Sequence, residues 1–204
     1  MASEDPDDQT SSASGSTNAV ARNDGPFVLR TLLDEVPLSA DGAAEGIKIN
    51  CVDYLEHNLY VGTSASELLH FVQIPPDPND PAGRPSFILA SRLRPAFAET
   101  SNSRPGIQQI LLLPKVGKAC VLCNWTVTFY SLPEFSPVFG TTQVKNCNWV
   151  GGVDLNDPQD DAGDPSAGVF ICLSLMRRIQ VVRIGEVARA VKVRWASDLR
   201  VIMN

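Results

Sequence analysis

The feature that most constrains this chain is a hairpin written three times. "NLYVGT" (58–63), "ACVLCN" (119–124) and "VFICLS" (169–174) hold the same place in three successive stretches. Each is a short apolar run closed by a polar residue. After a tight turn comes a second apolar run: "ELLHFVQI" (67–74), "TVTFYSL" (126–132) and "RIQVVRI" (178–184). A candidate strand precedes each pair, in "IKINCVDYL" (47–55), "IQQILLLP" (107–114) and "CNWVGGVDL" (147–155). Another follows each pair, in "SFILASRL" (86–93), "PVFGTT" (137–142) and "AVKVRW" (190–195). Val, Ile, Phe and Tyr at this density favour strands. No stretch sustains a helical period, although "LRTLLDEV" (29–36) fits one helical turn as well as a strand.

Four strands recurring at roughly 50 residues are the mark of a β-propeller blade. That architecture also explains why the runs are apolar on both faces. An inner strand of a blade is covered by a neighbouring blade on each side. Leu68, Val72 and Ile74 then meet one neighbour while Leu69 and Phe71 meet the other. "ILLL" (110–113) and "VFICL" (169–173) read the same way. The competing arrangement is a two-sheet sandwich with some wholly buried strands. The predicted fold is therefore all-β: a partial β-propeller of about three four-stranded blades over residues 26–204. Three blades do not close a ring, since propellers have about four to eight. "DLRVIMN" (198–204) reads as the first strand of a fourth blade, so the chain is expected to be a truncated propeller with an uncovered apolar face. Residues 1–25 carry almost no apolar side chain to offset ordering entropy and are expected to form a disordered acidic tail.

The formal net charge of -6 disfavours non-specific binding to nucleic acid or to an anionic membrane. "MASEDPDDQT" has neither the basic nor the apolar region of a signal peptide. No apolar run reaches the roughly 18 residues of a membrane span. A cytoplasmic setting with reduced thiols is expected. All five cysteines, an odd number, are then free.

Little in the sequence promises chemistry. "CVLC" (120–123) has a metal-like spacing, but residues three apart on a strand point to opposite faces, and no second pair accompanies it. "DPQDDAGD" (157–164) is close to a calcium loop in composition. Its sixth position is Ala162 and its twelfth Gly168, where Gly and Glu are needed. "NWT" (124–126) is a glycosylation sequon without a secretory signal, and Trp125 reads as the start of a strand. His57 falls in a turn and His70 among core residues. Neither G-x-S-x-G nor a Gly-rich phosphate loop is present. No enzymatic activity, catalytic residue, cofactor or metal is expected. The candidate binding residues are Arg177 and Arg178, a basic hairpin tip in "MRR" (176–178) suited to an acidic partner surface.

Three stretches carry a family resemblance. "INCVDYLEHNLYVGTSASELLHF" (49–71), "VLCNWTVTFYSLPEFSPV" (121–138) and "CLSLMRRIQVVRI" (172–184) resemble the citron homology (CNH) domain. The form they are most similar to is that of the endosomal tethering subunit also called transforming-growth-factor-β-receptor-associated protein. The proline- and aspartate-rich inserts "IPPDPNDPAGRP" (74–85) and "NDPQDDAGDPSAG" (156–168) depart from its pattern. The resemblance implies a propeller of about seven blades ahead of an α-solenoid. It also implies a non-enzymatic role in a CORVET-like tether, peripheral to endosomal or vacuolar membranes, with an early-endosomal Rab GTPase and other tether subunits as partners. The alternatives are a HOPS-type late-endosomal or vacuolar subunit, and the regulatory module of a small-GTPase signalling protein. In the signalling proteins the domain follows a catalytic region, whereas this propeller starts near the chain's own amino terminus.

Overall fold

In the computed structural model, the described residues are 31–33, 35–39, 46–76, 78–79, 85–95, 105–153, 168–186 and 188–191. The acidic tail, the 157–164 loop and "DLRVIMN" lie outside them. Residues up to Asp34 form one unit and Glu35–Asn204 a second. The three described residues of the first unit, 31–33, are neither helix nor strand, nor are 35–39 of the second, so "LRTLLDEV" shows no helical turn where it is described.

Among the described residues twelve strands form, all in the second unit. The first sheet holds β1 (Ile49–Leu55), β2 (Asn58–Thr63), β3 (Leu68–Ile74) and β4 (Ser86–Leu93). The second holds β5 (Ile107–Leu113), β6 (Lys118–Cys123), β7 (Thr126–Ser131) and β8 (Val144–Lys145). The third holds β9 (Cys147–Gly151), β10 (Val169–Leu175), β11 (Arg178–Ile184) and β12 (Ala188–Val191). Each sheet is an antiparallel meander in chain order. The first strands of successive sheets lie side by side, β1 next to β5 and β5 next to β9. This is the arrangement of successive propeller blades around an axis: three four-stranded blades of a partial β-propeller.

Two apolar cores fill the spaces between sheets. Tyr60, Leu68, Ile107, Ile110, Ala119, Val121 and Tyr130 close the first joint. Leu113, Cys120, Leu122, Phe129, Val150, Ile171 and Leu173 are among those closing the second. The run 110–113 divides between them: Ile110 and Leu112 turn to the first sheet, Leu111 and Leu113 to the third. Burial on both faces therefore holds for the middle sheet. It fails at two other places. Ile74 is exposed at the end of β3, and among the described residues the third sheet packs one face, with Val169, Ile171 and Leu173 buried while Cys172 is half-buried.

The expected strand "PVFGTT" is also displaced. Pro137 makes one bridge to Tyr130, after which Phe139 and Gly140 take positive φ and turn the chain. The fourth strand forms only at Val144–Lys145, opposite Thr126 and Val127. The pairing partner sets the strand here, and local β propensity does not.

The sheets meet closely at two glycines. A Cβ on Gly62 would lie 2.6 Å from Ile107 of the next sheet, and one on Gly106 would lie 2.5 Å from the carbonyl oxygens of Thr63 and Ser64. Gly106 also has φ +74, which suits glycine on both counts.

Candidate functional site

The middle hairpin of every sheet turns at the same end. These tips are Ser64–Ser66 between β2 and β3, Asn124–Trp125 between β6 and β7, and Met176–Arg177 between β10 and β11. Asn124 and Trp125 both have positive φ, the conformation of a two-residue hairpin turn whose twist matches its strands. Asn is at ease there; Trp is tolerated because its side chain points out, 43% exposed. Trp125 thus belongs to the turn and not to the strand that starts at Thr126.

Hydrogen bonds tie the tips together. Asn124 Nδ2 donates to Ser66 Oγ at 3.2 Å, and the Gly106 amide donates to Asn124 Oδ1 at 3.0 Å. The Cys147 amide donates to the Trp125 carbonyl at 2.9 Å, and the Met176 amide to that of Asn146 at 3.3 Å. Trp125 and Met176 therefore flank one turn, Asn146–Cys147. The tips form a connected rim.

Arg177 is the last turn residue and Arg178 the first of β11, paired with Leu175. Both are exposed, beside Met176 at 74% and Ile179 at 67% exposure. Among the described residues, no carboxylate lies within ion-pair distance of either guanidinium. Two exposed cations next to two exposed apolar side chains form an amphipathic knob.

A second cation at this end escaped sequence reading. Glu67 follows the first tip and its side chain is 4% exposed. It is held by Arg92 and by Arg94, whose Nε and Nη2 donate to Oε1 at 2.8 and 2.6 Å. Arg92 also donates to the carbonyls of Pro37 at 2.5 Å and Leu38 at 3.4 Å. A buried carboxylate persists only when paired in this way. Arg94 is itself largely exposed, so the clamp presents a fixed guanidinium to solvent. The signals were a lone Glu before an apolar strand and "RLR" at the end of another. Nothing local links residues 25 apart.

The remaining candidates are structural. Cys120 packs in the second core and Cys123 in the first, so their sulfurs sit on opposite faces of β6. No disulfide joins any of the five cysteines. Burial pushes the Cys51 thiol up to about 11 and raises Cys120, Cys147 and Cys172 as well. A raised pKa is the opposite of what a nucleophilic or metal-ligating thiol needs. Among the described residues no group of three or more His, Cys, Asp or Glu could hold a metal ion. His57 is exposed in its turn. His70 is buried, stacked on Tyr60 at 4.9 Å, with Nε2 2.8 Å from Asn58 Oδ1. Among the described residues no helix is long and apolar enough to cross a membrane.

The geometry offers a rigid rim of loops that can recognise a surface. Comparison with known proteins gives that rim a setting. Residues 44–155 match the family described as the VPS3 N-terminal domain. Over 128 residues, 63% of the chain, the sequence is 34% identical to the vacuolar protein sorting-associated protein 3 of Saccharomyces cerevisiae. The matched stretch spans 11% of that protein's length. The family match takes in the first two sheets and β9, and ends before the Arg177–Arg178 tip.

Proposed function

The chain belongs to the VPS3 N-terminal domain family, and from that premise we propose that it is a non-enzymatic binding module of a vesicle-tethering complex in vacuolar and endosomal protein sorting. The finer reading is a CORVET-like tether and a propeller of the citron homology type. Its partners are an early-endosomal Rab GTPase and the other tether subunits, met at the surface of endosomal or vacuolar membranes. The yeast relative's name supports the sorting role. The observation that carries the binding role is the rim of tips, where Arg177 and Arg178 stand exposed beside Met176 and Ile179, with Trp125 and Arg94 exposed at the same end, on a protein of net charge -6. Basic and apolar groups on a rigid edge suit an acidic protein surface with an apolar centre.

A binding panel tests this reading. The protein is presented to Rab GTPases loaded with GTP or GDP, and to purified tether subunits. We expect capture of one GTP-loaded Rab or of a tether subunit, weakened at least about tenfold by the double substitution Arg177→Glu, Arg178→Glu, as for close charge pairs. Binding that ignores this substitution and the corresponding change at Arg94 moves the partner site away from the rim. No capture of any Rab GTPase or tether subunit removes the binding role.

A further inference from the structure

Trp125 occupies a place where the backbone favours glycine. β6 and β7 are joined by Asn124 and Trp125 alone, at φ +49 and +59. A turn of this hand prefers Asn and then Gly, because a Cβ is crowded when φ is positive. Asn124 fits the first position. At the second, a bulky side chain is a backbone outlier.

Among the described residues, three aromatic side chains carry positive φ: Trp125, Phe135 and Phe139. Both phenylalanines use it for packing. Phe135 is buried, its ring centre 4.6 Å from that of Tyr60 and 5.7 Å from that of Tyr130. Phe139 stands edge-on to Phe129 at 5.5 Å, with the Lys118 ammonium over its ring. Trp125 is the exposed one. It belongs to the middle sheet, which is covered on both faces, and it still reaches solvent.

Neighbouring strands hold this conformation. Each first strand skips one residue against its hairpin partner near its start: Asn50 in β1, Gln108 in β5 and Asn148 in β9. Such a bulge re-aims a side chain. Gln108 Oε1 accepts the Trp125 amide at 2.8 Å, while the Trp125 carbonyl accepts from Cys147 at 2.9 Å. The Asn124 amide donates to the Gly106 carbonyl at 3.0 Å. Both backbone groups of Trp125 are fixed, and the indole projects from a rigid base. Strain persists where the surroundings over-determine it, and it gathers at functional sites.

Cations border the indole. Lys145 is exposed and pairs with Thr126, the residue after Trp125. Met176, followed by Arg177, flanks the same Asn146–Cys147 turn as Trp125.

We infer that Trp125 is the anchor of the rim, presented to an apolar cleft with an acidic border on a protein partner. The inference rests on the binding role proposed above and divides its labour: the arginines guide the partner and the indole holds it. Trp enclosed in a partner's pocket is among the residues that dominate an interface. An anionic bilayer also takes Trp and cations, but it accepts the ring at any tilt and gains nothing from a strained, fixed backbone. A shaped cleft does gain, because pre-organisation lowers the cost of binding.

The partner captured in the binding panel tests the inference. Trp125→Gly and Trp125→Ala should each weaken capture at least about 30-fold, the size of a hot-spot loss, and the loss should lie in the dissociation rate. Both substitutions remove the indole, and only glycine removes the strain. In urea the Gly variant should therefore unfold about 0.5 M later than the Ala variant. Cooperative transitions in both show that they fold. Vesicles of phosphatidylcholine with about one third phosphatidylserine should show no binding that depends on Trp125. Capture that survives either substitution overturns the inference and leaves the binding role standing. Equal urea midpoints for the two variants mean an unstrained turn and overturn it as well. Vesicle binding that needs Trp125 replaces the protein cleft with a bilayer. No capture of any partner removes the binding role and the anchor with it.

Discussion

Glu67 shows what a single buried charge requires. Its side chain is almost fully enclosed and its two partners arrive from the end of β4, Arg92, and from just past it, Arg94. Glu67→Ala leaves Arg92 without its counter-ion and loosens the 35–39 segment that Arg92 holds. We expect a loss of about 3 kcal/mol or more in urea unfolding. Glu67→Gln, which keeps an acceptor, should recover part of it. His70 provides a pH signature. Burial lowers its pKa from the ordinary 6.5, against a smaller opposing pull from Glu134. The unfolded chain therefore binds a proton that the folded chain resists. The resulting stability is present above pH 6.5 and falls as the pH drops from there through the lower folded value. Unfolding midpoints measured across that window should decline in the wild type, and His70→Gln should flatten the decline. An equal slope in both proteins would show that other groups carry it. The burial of His70 was legible from its apolar neighbours; the Glu67 clamp was not, because its members are distant in sequence.

At the level of elements, turn residues and apolar runs were enough to place most strands. β2, β4 and β11 begin and end as the sequence suggests, since Gly, Pro, Asn or a basic pair bounds each one. β8 was misplaced because its short ladder depends on Thr126 and Val127, which lie across the sheet and not along the chain. The bulges were invisible for the same reason. "INC", "IQQ" and "CNW" share an amide residue at the second place, but only pairing shows that Asn50, Gln108 and Asn148 are skipped. Gln109 is the element-scale test of the joints. Its side-chain amide satisfies both backbone groups of Val150 across the sheet boundary. Gln109→Ala strands those two groups in a partly buried place and should cost about 1–3 kcal/mol. Gln109→Glu keeps the acceptor for the Val150 amide and loses the donor to its carbonyl. Amide hydrogen exchange at Val150 separates the two: fast in the alanine variant, slower in the glutamate variant. Protection unchanged in both would mean that packing alone holds the sheets.

For the molecule as a whole, charge is distributed unevenly. The chain is acidic at -6, yet the exposed tips present Arg94, Arg177 and Arg178. The Arg177–Arg178 tip was legible because the basic pair falls where one strand pattern gives way to the next, although Arg178 already belongs to β11. The exposure of Arg94 and Trp125 at the same end was not, because the rim gathers residues far apart in sequence. A local basic edge on an acidic body orients an approaching acidic partner before contact, and such steering acts on the association rate. The partner captured in the binding panel should therefore associate more slowly as salt rises, because the Debye length shrinks from about 10 Å at 0.1 M to about 3 Å at 1 M. Arg177→Glu with Arg178→Glu should lower the association rate by about tenfold at low salt and leave much less difference at high salt. The dissociation rate should change little if these guanidinium groups stay at the edge of the contact. It should rise instead if they are enclosed between Met176 and Ile179, where removing a charge leaves its partner unpaired. Interferometry at three ionic strengths distinguishes the cases. An association rate that ignores both salt and the substitutions would mean that the basic rim does not guide the encounter.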